Sequence, residues 1–184
     1  MLAVADVAGK SIPAAMLMAT FQASLKTLST AQVALPELAS NMNRYADSNS
    51  QGGLRFTTAF VAAYDPIHRT VDYINAGHNN PILRRASGQI ERLDVGGLPF
   101  GIMPEAKYQT ASITLAPGDW FIIFIRWTRR SRKCHQEEYG EARLLTAIEA
   151  GKSAEPAEML RRFIAEVDLF VGNALSTTTS PACC

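Results

Sequence analysis

Apolar and polar positions change their period along the chain, and each change marks an element. Leu2–Ala5 is a short apolar, strand-like run that stops at one acid, Asp6, before a small glycine loop over residues 7–10. From Ile12 to about Thr30, the residues Ala14, Ala15, Leu17, Met18, Phe21, Leu25 and Leu28 recur at steps of three and four. That spacing predicts a long helix, buried over a broad face with its methionines as core filler. Pro36 to about Asp47 predicts a second helix, with proline in its first turn and Leu38, Met42 and Tyr45 on one face. A polar break at residues 48–53 follows, and the period drops to two.

Phe56–Tyr64 and Thr70–Asn75 read as strands joined by a turn at residues 65–69, with Val71 and Tyr73 opposite Asp72 and Ile74. Ile82–Arg85 and Ile90–Leu93 predict a second hairpin with Gly88 in its turn. Residues 96–103 form a glycine-rich apolar loop, and Ala111–Leu115 predicts a further strand. The unbroken apolar run Trp120–Ile125 predicts a strand covered on both faces. Connections this short imply an antiparallel meander. Two helices close the pattern, from about Glu137 to Ala150 and from Ala154 to about Phe170, the second with Met159, Leu160, Phe163, Ile164 and Val167 inward. The fold class is α+β, an antiparallel sheet region with helices outside it.

Composition narrows this little. The 184 residues, 47% hydrophobic and 19% charged, suit one globular domain spanning residues 1–184. With no apolar stretch of membrane-spanning length and no signal-peptide pattern, a cytoplasmic protein without membrane association is expected. A net charge of +1 gives no general attraction to nucleic acid. Cys134, Cys183 and Cys184 show neither metal-ligand spacing nor an even disulfide framework.

The chemistry concentrates at Asp6. A carboxylate at the mouth of a sheet, beside backbone carbonyls and a helix start, suits a hard cation such as Mg2+ or Mn2+; a loop acid capping the next turn is the alternative. Gly9-Lys10-Ser11 ends like a nucleotide-binding loop, but Val4 occupies the required upstream glycine position, which discards that reading.

The stretch Asp6-Val7-Ala8-Gly9-Lys10-Ser11-Ile12-Pro13-Ala14-Ala15 resembles the Asp-Val-Ser-Gly-Lys-Gly-x-Pro-Ala-Ala signature of the SpoIIE/RsbU-type branch of the metal-dependent (PPM) serine/threonine phosphatases. Phe56–Phe60, Asn75–Pro81, Gly97–Gly101 and Leu115–Asp119 resemble further phrases of that family, in its order. The resemblance implies an α-β-β-α sandwich. It implies metal ligation by the Asp6 carboxylate and the Val7 carbonyl to a pair of Mg2+ or Mn2+ ions. It also implies hydrolysis of phosphoserine or phosphothreonine on a regulatory protein of the anti-sigma-factor antagonist class. His78 is expected to be structural, because the family uses metal-bound water rather than a histidine nucleophile. Two upstream strands carrying a Gly-Gly-Asp-x-Tyr-Asp phrase precede this point in the family, so the sandwich is expected to be incomplete at its N-terminal edge and prone to self-association.

Two segments depart from the pattern. After Ile125 the family continues Ser/Thr-Asp-Gly, whose Asp is a second metal ligand. Here Arg126, Arg129, Arg130, Arg132 and Lys133 crowd that place. Without these five, the 18 basic residues become 13 against 17 acids, so the balance falls from +1 to −4. The codons ATC-CGA-TGG for Ile125–Trp127, read one base later, spell Ser-Asp-Gly. With ACA-CGG-AGG-TCA-CGG-AAA-TG for Thr128–Cys134, the frame two bases along from the start of the Trp127 codon spells Asp-Thr-Glu-Val-Thr-Glu-Met. Ser176–Cys184, as TCG-ACG-ACG-ACA-TCA-CCC-GCC-TGC-TGC, yields Asp-Asp-Asp-Ile-Thr-Arg-Leu-Leu two bases along. All three cysteines fall in these segments, which are therefore expected to be frameshifted. Three functions follow: a phosphatase left metal-poor and inactive as written, a catalytically dead interaction module derived from one, or a nucleic-acid binder using the basic run.

Overall fold

A computed structural model of the chain describes residues 1–9, 12–31, 33–50, 55–125, 141–150 and 157–166. Lys10 and Ser11 lie outside these residues, as do the segments at 126–136 and 175–184 with all three cysteines. The chain clusters into two compact units, Met1–Ile125 and Arg126–Cys184.

In the first unit, β1 (Leu2–Val7), β2 (Thr57–Asp65), β3 (Thr70–Ala76) and β6 (Gly96–Gly97) lie side by side, and β7 (Ala111–Thr114) also pairs with β3. A second sheet has the order β5 (Ile90–Arg92), β4 (Ile82–Arg84), β8 (Trp120–Ile122). Alternation along β2 separates two cores. Ala59 and Val61 turn toward α1 (Ile12–Thr30) and α2 (Leu35–Ser48), where Phe21, Leu38, Met42, Ile74 and Phe100 are buried. Phe60 and Ala62 turn the other way and meet Val71, Tyr73, Leu83 and Leu93, with Phe121 and Ile123 against them. The result is a helix layer on one sheet and a second sheet on that sheet's other face.

The helices form for the reasons their spacing implies, with one departure. α2 buries Leu35, Leu38, Ala39, Met42, Asn43 and Ala46, a single stripe, and starts with Pro36 in its first turn and Glu37 near its positive end. Among its described side chains α1 buries only Leu17 and Phe21 fully, while Ile12 and Met16 are exposed. The expected broad buried face is therefore a narrow one, because a flat sheet surface covers one stripe of a helix.

Four further expectations change. β1 runs through Asp6 to Val7, since Val7 still pairs with Thr57 and the Ala8 N–H reaches the Phe56 carbonyl at 2.8 Å. The meander is not wholly antiparallel: β6 pairs parallel with β3, because the chain crosses through the second sheet before returning. β8 is shorter than expected and half-buried, with Ile125 exposed. Adjacent in sequence, β7 and β8 join different sheets, and Arg85 ties the sheets together there. Its guanidinium donates to the β7 carbonyl of Thr114 at 2.7 Å, to Asp119 at 3.0 Å and to Glu91 at 2.6 Å. Asp119 also accepts from the amides of Ala86 and Ala116, contacts that hold its carboxyl below the ordinary range.

In the second unit, α3 (Glu141–Ala150) buries Ala147 and Ile148. A further helix covers residues 157–166, in which Met159 is buried but Leu160 and Ile164 are exposed, contrary to the expected inner face. Val167 lies outside the described residues.

Candidate metal centre

Asp6 sits one residue from the end of β1, opposite Thr58 in register. Ala3 and Ala5 pack on the helix side, so the alternation turns Val4 and Asp6 to the face between the two sheets. Asp6 is exposed there. Among the described residues its carboxylate accepts no hydrogen bond, so nothing described supports the capping alternative. The Ala8-to-Phe56 bond sets the phase of the ladder: Asp6 and Thr58 exchange both backbone bonds, and the polar groups of Val7 project away from β2. The Asp6 carboxylate and the Val7 carbonyl are thus left available at one strand end.

Two side chains gather behind Asp6. The Thr58 hydroxyl donates to the Asp6 carbonyl oxygen at 3.3 Å and lies 3.3 Å from His78 Nδ1. His78 is 6% exposed, and its Nε2 is buried without a partner. Burial holds this imidazole below its ordinary pKa, opposed by the charge of Asp6 and the backbone at Phe124. The ring is therefore neutral near pH 7, and the negative charge of Asp6 has no imidazolium beside it.

The loop that carries His78 is held by Asn75 rather than by the histidine. Asn75 Oδ1 accepts the His78 backbone N–H at 2.7 Å, and its Nδ2 donates to Asn80 Oδ1 at 2.9 Å and to the Leu93 carbonyl at 3.1 Å. Gly77 takes φ +67°, and a Cβ there would lie 2.4 Å from Pro99 Cγ. Gly96 is required for close approach, because a Cβ would lie 2.0 Å from the Asn75 carbonyl oxygen. Asn43 performs a similar task on α2: its side chain donates to the Met103 carbonyl at 2.8 Å and accepts from the Gly101 amide at 3.0 Å. Thr58 and Asn75 stand inside the motif phrases, but no local spacing marks them as partners of Asp6.

Oxygen donors suit a hard divalent cation, and such ions retain waters when protein ligands are few. Asp6 and Val7 fit in kind. In number they are few: among the described residues, no group of three or more His, Cys, Asp or Glu comes together. Among those same residues, no helix is long and apolar enough to cross a membrane.

Comparisons with known proteins bear on the family and the fold. The family model described as "Stage II sporulation protein E (SpoIIE)" matches residues 1–176. Protein IcfG of Synechocystis sp. is 23% identical over 180 residues, covering 84% of this chain and 28% of the relative. Phosphoserine phosphatase RsbU of Bacillus subtilis is 28% identical over 124 residues, covering 67% of this chain and 37% of the relative. The chain thus spans about a third of these curated relatives. Among solved structures, the SiaA-PP2C domain of Pseudomonas aeruginosa aligns over 89% of this chain and 66% of its own, with TM-score 0.69 and 16% identity. RsbX in complex with magnesium aligns over 64% of this chain and 55% of its own, with TM-score 0.52 and 22% identity. These structural likenesses establish the PP2C-type α+β fold.

Proposed function

Because this chain belongs to the SpoIIE family, the SpoIIE/RsbU branch of the PPM phosphatases, we propose that it is a divalent-metal-dependent phosphatase acting on phosphoserine or phosphothreonine of a regulatory protein. The observation that carries the reading is the strand end at which the Asp6 carboxylate and the Val7 carbonyl stand free beside a buried His78. The match over residues 1–176 supports treating both units as parts of one phosphatase domain. The names of RsbU and of the magnesium-bound RsbX support the substrate chemistry and the choice of Mg2+ or Mn2+.

Asp6 and Val7 would hold the ion, which when bound supplies an activated water and charge neutralisation for phosphoryl transfer. The chain's own part is positional. Pairing with β2 fixes the direction of Asp6, and Thr58 fastens the backbone beneath it. The inter-sheet core, with Phe60 packed against Tyr73 and Phe121, continues the same face of β2 with apolar side chains. Asp6 brings one negative charge, so the remaining neutralisation must come from further acids. In sequence, the place where the family has its next Asp follows the run that ends at Ile125, and the Phe124 backbone lies beside His78.

A second reading has its own support. Asp6 belongs to no group of three or more His, Cys, Asp or Glu among the described residues, and a carboxylate with so few companions anchors a divalent ion weakly. On this reading the chain is a catalytically inactive module that retains the partner-binding surface. Hydrolysis of a phosphoserine peptide by the purified chain separates the two. Mn2+-dependent release of phosphate, abolished by EDTA and by Asp6→Asn, is the expected result for the phosphatase. Turnover unchanged in Asp6→Asn rejects the proposed site, and no turnover at saturating Mn2+ supports the inactive module.

A further inference from the structure

Thr58 owns one hydroxyl proton and has two acceptors in reach, the Asp6 carbonyl oxygen and His78 Nδ1, each at 3.3 Å. Only one arrangement makes both bonds. If His78 carries its proton on Nδ1, that N–H donates to Thr58 Oγ1, and the Thr58 hydroxyl is free to donate to Asp6. If the proton sits on Nε2, one of the two bonds is lost, and the N–H has the Phe124 backbone beside the ring but no acceptor within hydrogen-bond geometry. A buried orphan donor is the costlier and rarer case. The surroundings do not allow the ring to escape. Asn75 grips the His78 backbone, Gly77 and Gly96 permit the tight loop, and the ring is almost wholly enclosed.

We propose that His78 is a positioning residue for Asp6: as the Nδ1–H tautomer it donates to Thr58, so that the Thr58 hydroxyl holds the Asp6 carbonyl and fixes the strand end presenting Asp6 and Val7. The inference rests on the metal-site reading of Asp6. It adds that the ligand strand is set from behind by a relay between β2 and the loop after β3. The relay spans 52 residues between Asp6 and Thr58 and a further 20 to His78. A long-range relay of this kind ties ligand placement to completion of the fold.

The test uses the full chain. Long-range 15N–1H spectra at neutral pH should show His78 as the Nδ1–H tautomer, with both ring nitrogens shifting in Thr58→Val and staying in place in Thr58→Ser. Amide exchange at Asp6 and Ala8 should quicken in Thr58→Val and in His78→Gln, but not in Thr58→Ser. Mn2+ affinity should fall about tenfold in Thr58→Val, the lower end for groups behind metal ligands, and stay within about twofold in Thr58→Ser. An Nε2–H tautomer overturns the proposal. So do ring nitrogens and amide exchange that Thr58→Val leaves unchanged, or a Thr58→Ser variant as impaired as Thr58→Val. Wild type and Asp6→Asn binding Mn2+ alike would remove the metal-site reading instead, and the metal-free spectra and exchange rates would still decide the relay.

Discussion

Asn75→Ala should be among the more damaging single substitutions near the site, although Asn75 touches neither candidate ligand. The side chain is 3% exposed and serves three partners: the His78 amide, Asn80 Oδ1 and the Leu93 carbonyl. Truncation leaves two groups in buried surroundings without partners, the His78 N–H and the Leu93 carbonyl, at roughly 1–3 kcal/mol each. Asn80 is exposed, so its amide oxygen can turn to water and adds little. Some water entering the space left by the amide reduces the sum, and about 2–4 kcal/mol remains, a large share of the roughly 5–15 kcal/mol that holds a typical domain folded. Urea denaturation followed by tryptophan fluorescence should show a lower midpoint with an unchanged slope. Asn75→Asp keeps the acceptor for the His78 amide but sets a carboxylate against the Leu93 carbonyl, so its stability should recover partly as the acid protonates. A loss below about 1 kcal/mol in Asn75→Ala would refute the account, because it would mean that the loop holds His78 without these bonds.

Other outcomes follow from the same geometry. Tyr108→Phe should be neutral or up to about 1 kcal/mol stabilising in the same denaturation assay, because the Tyr108 hydroxyl is buried with no partner and burial alone drives its pKa upward; a clear loss would reveal a partner. Gly77→Ala should cost at least about 1–2 kcal/mol from its positive φ, before counting the clash with Pro99, and a neutral result would mean the loop takes another path. His78 has a folded pKa below its ordinary 6.5, so the unfolded chain binds more protons in that window, and stability should fall as pH drops below 6.5. Thermal melts of His78→Asn should lose that slope. Below 3.8 a second loss should appear as Asp119 protonates and lets go of Arg85 and two amides, and it should vanish in Asp119→Asn. Determining the nucleotides over codons 125–137 and 174–184 should reveal alternative frames that encode Ser-Asp-Gly, then Asp-Thr-Glu, and, in the second segment, Asp-Asp-Ile-Thr; codons incompatible with those frames reject the frameshift.

What the sequence determined by itself was local. α1 and α2 begin and end within about a residue of the expected bounds, because helix bonds join residues four apart and their caps lie in the same few residues. The two hairpins were legible for the same reason: Asp65–Arg69 and Arg85–Gln89 are turns between short alternating runs. The motif order named the family, and with it the sandwich.

What the tertiary structure decided was everything set by register and by which strand neighbours which. β7 and β8 are consecutive, yet one pairs with β3 and the other with β4, and no pattern within either strand says so. Asp6 looked like a residue beyond its strand, and pairing with Thr58 drew it inside and fixed the face it presents. His78 was expected to be structural; Asn75 holds its loop, and the imidazole is enclosed behind Asp6, beside Thr58. The physical reason is common to all three: a strand's side-chain direction alternates every residue, so its function depends on a register that only the partner strand sets.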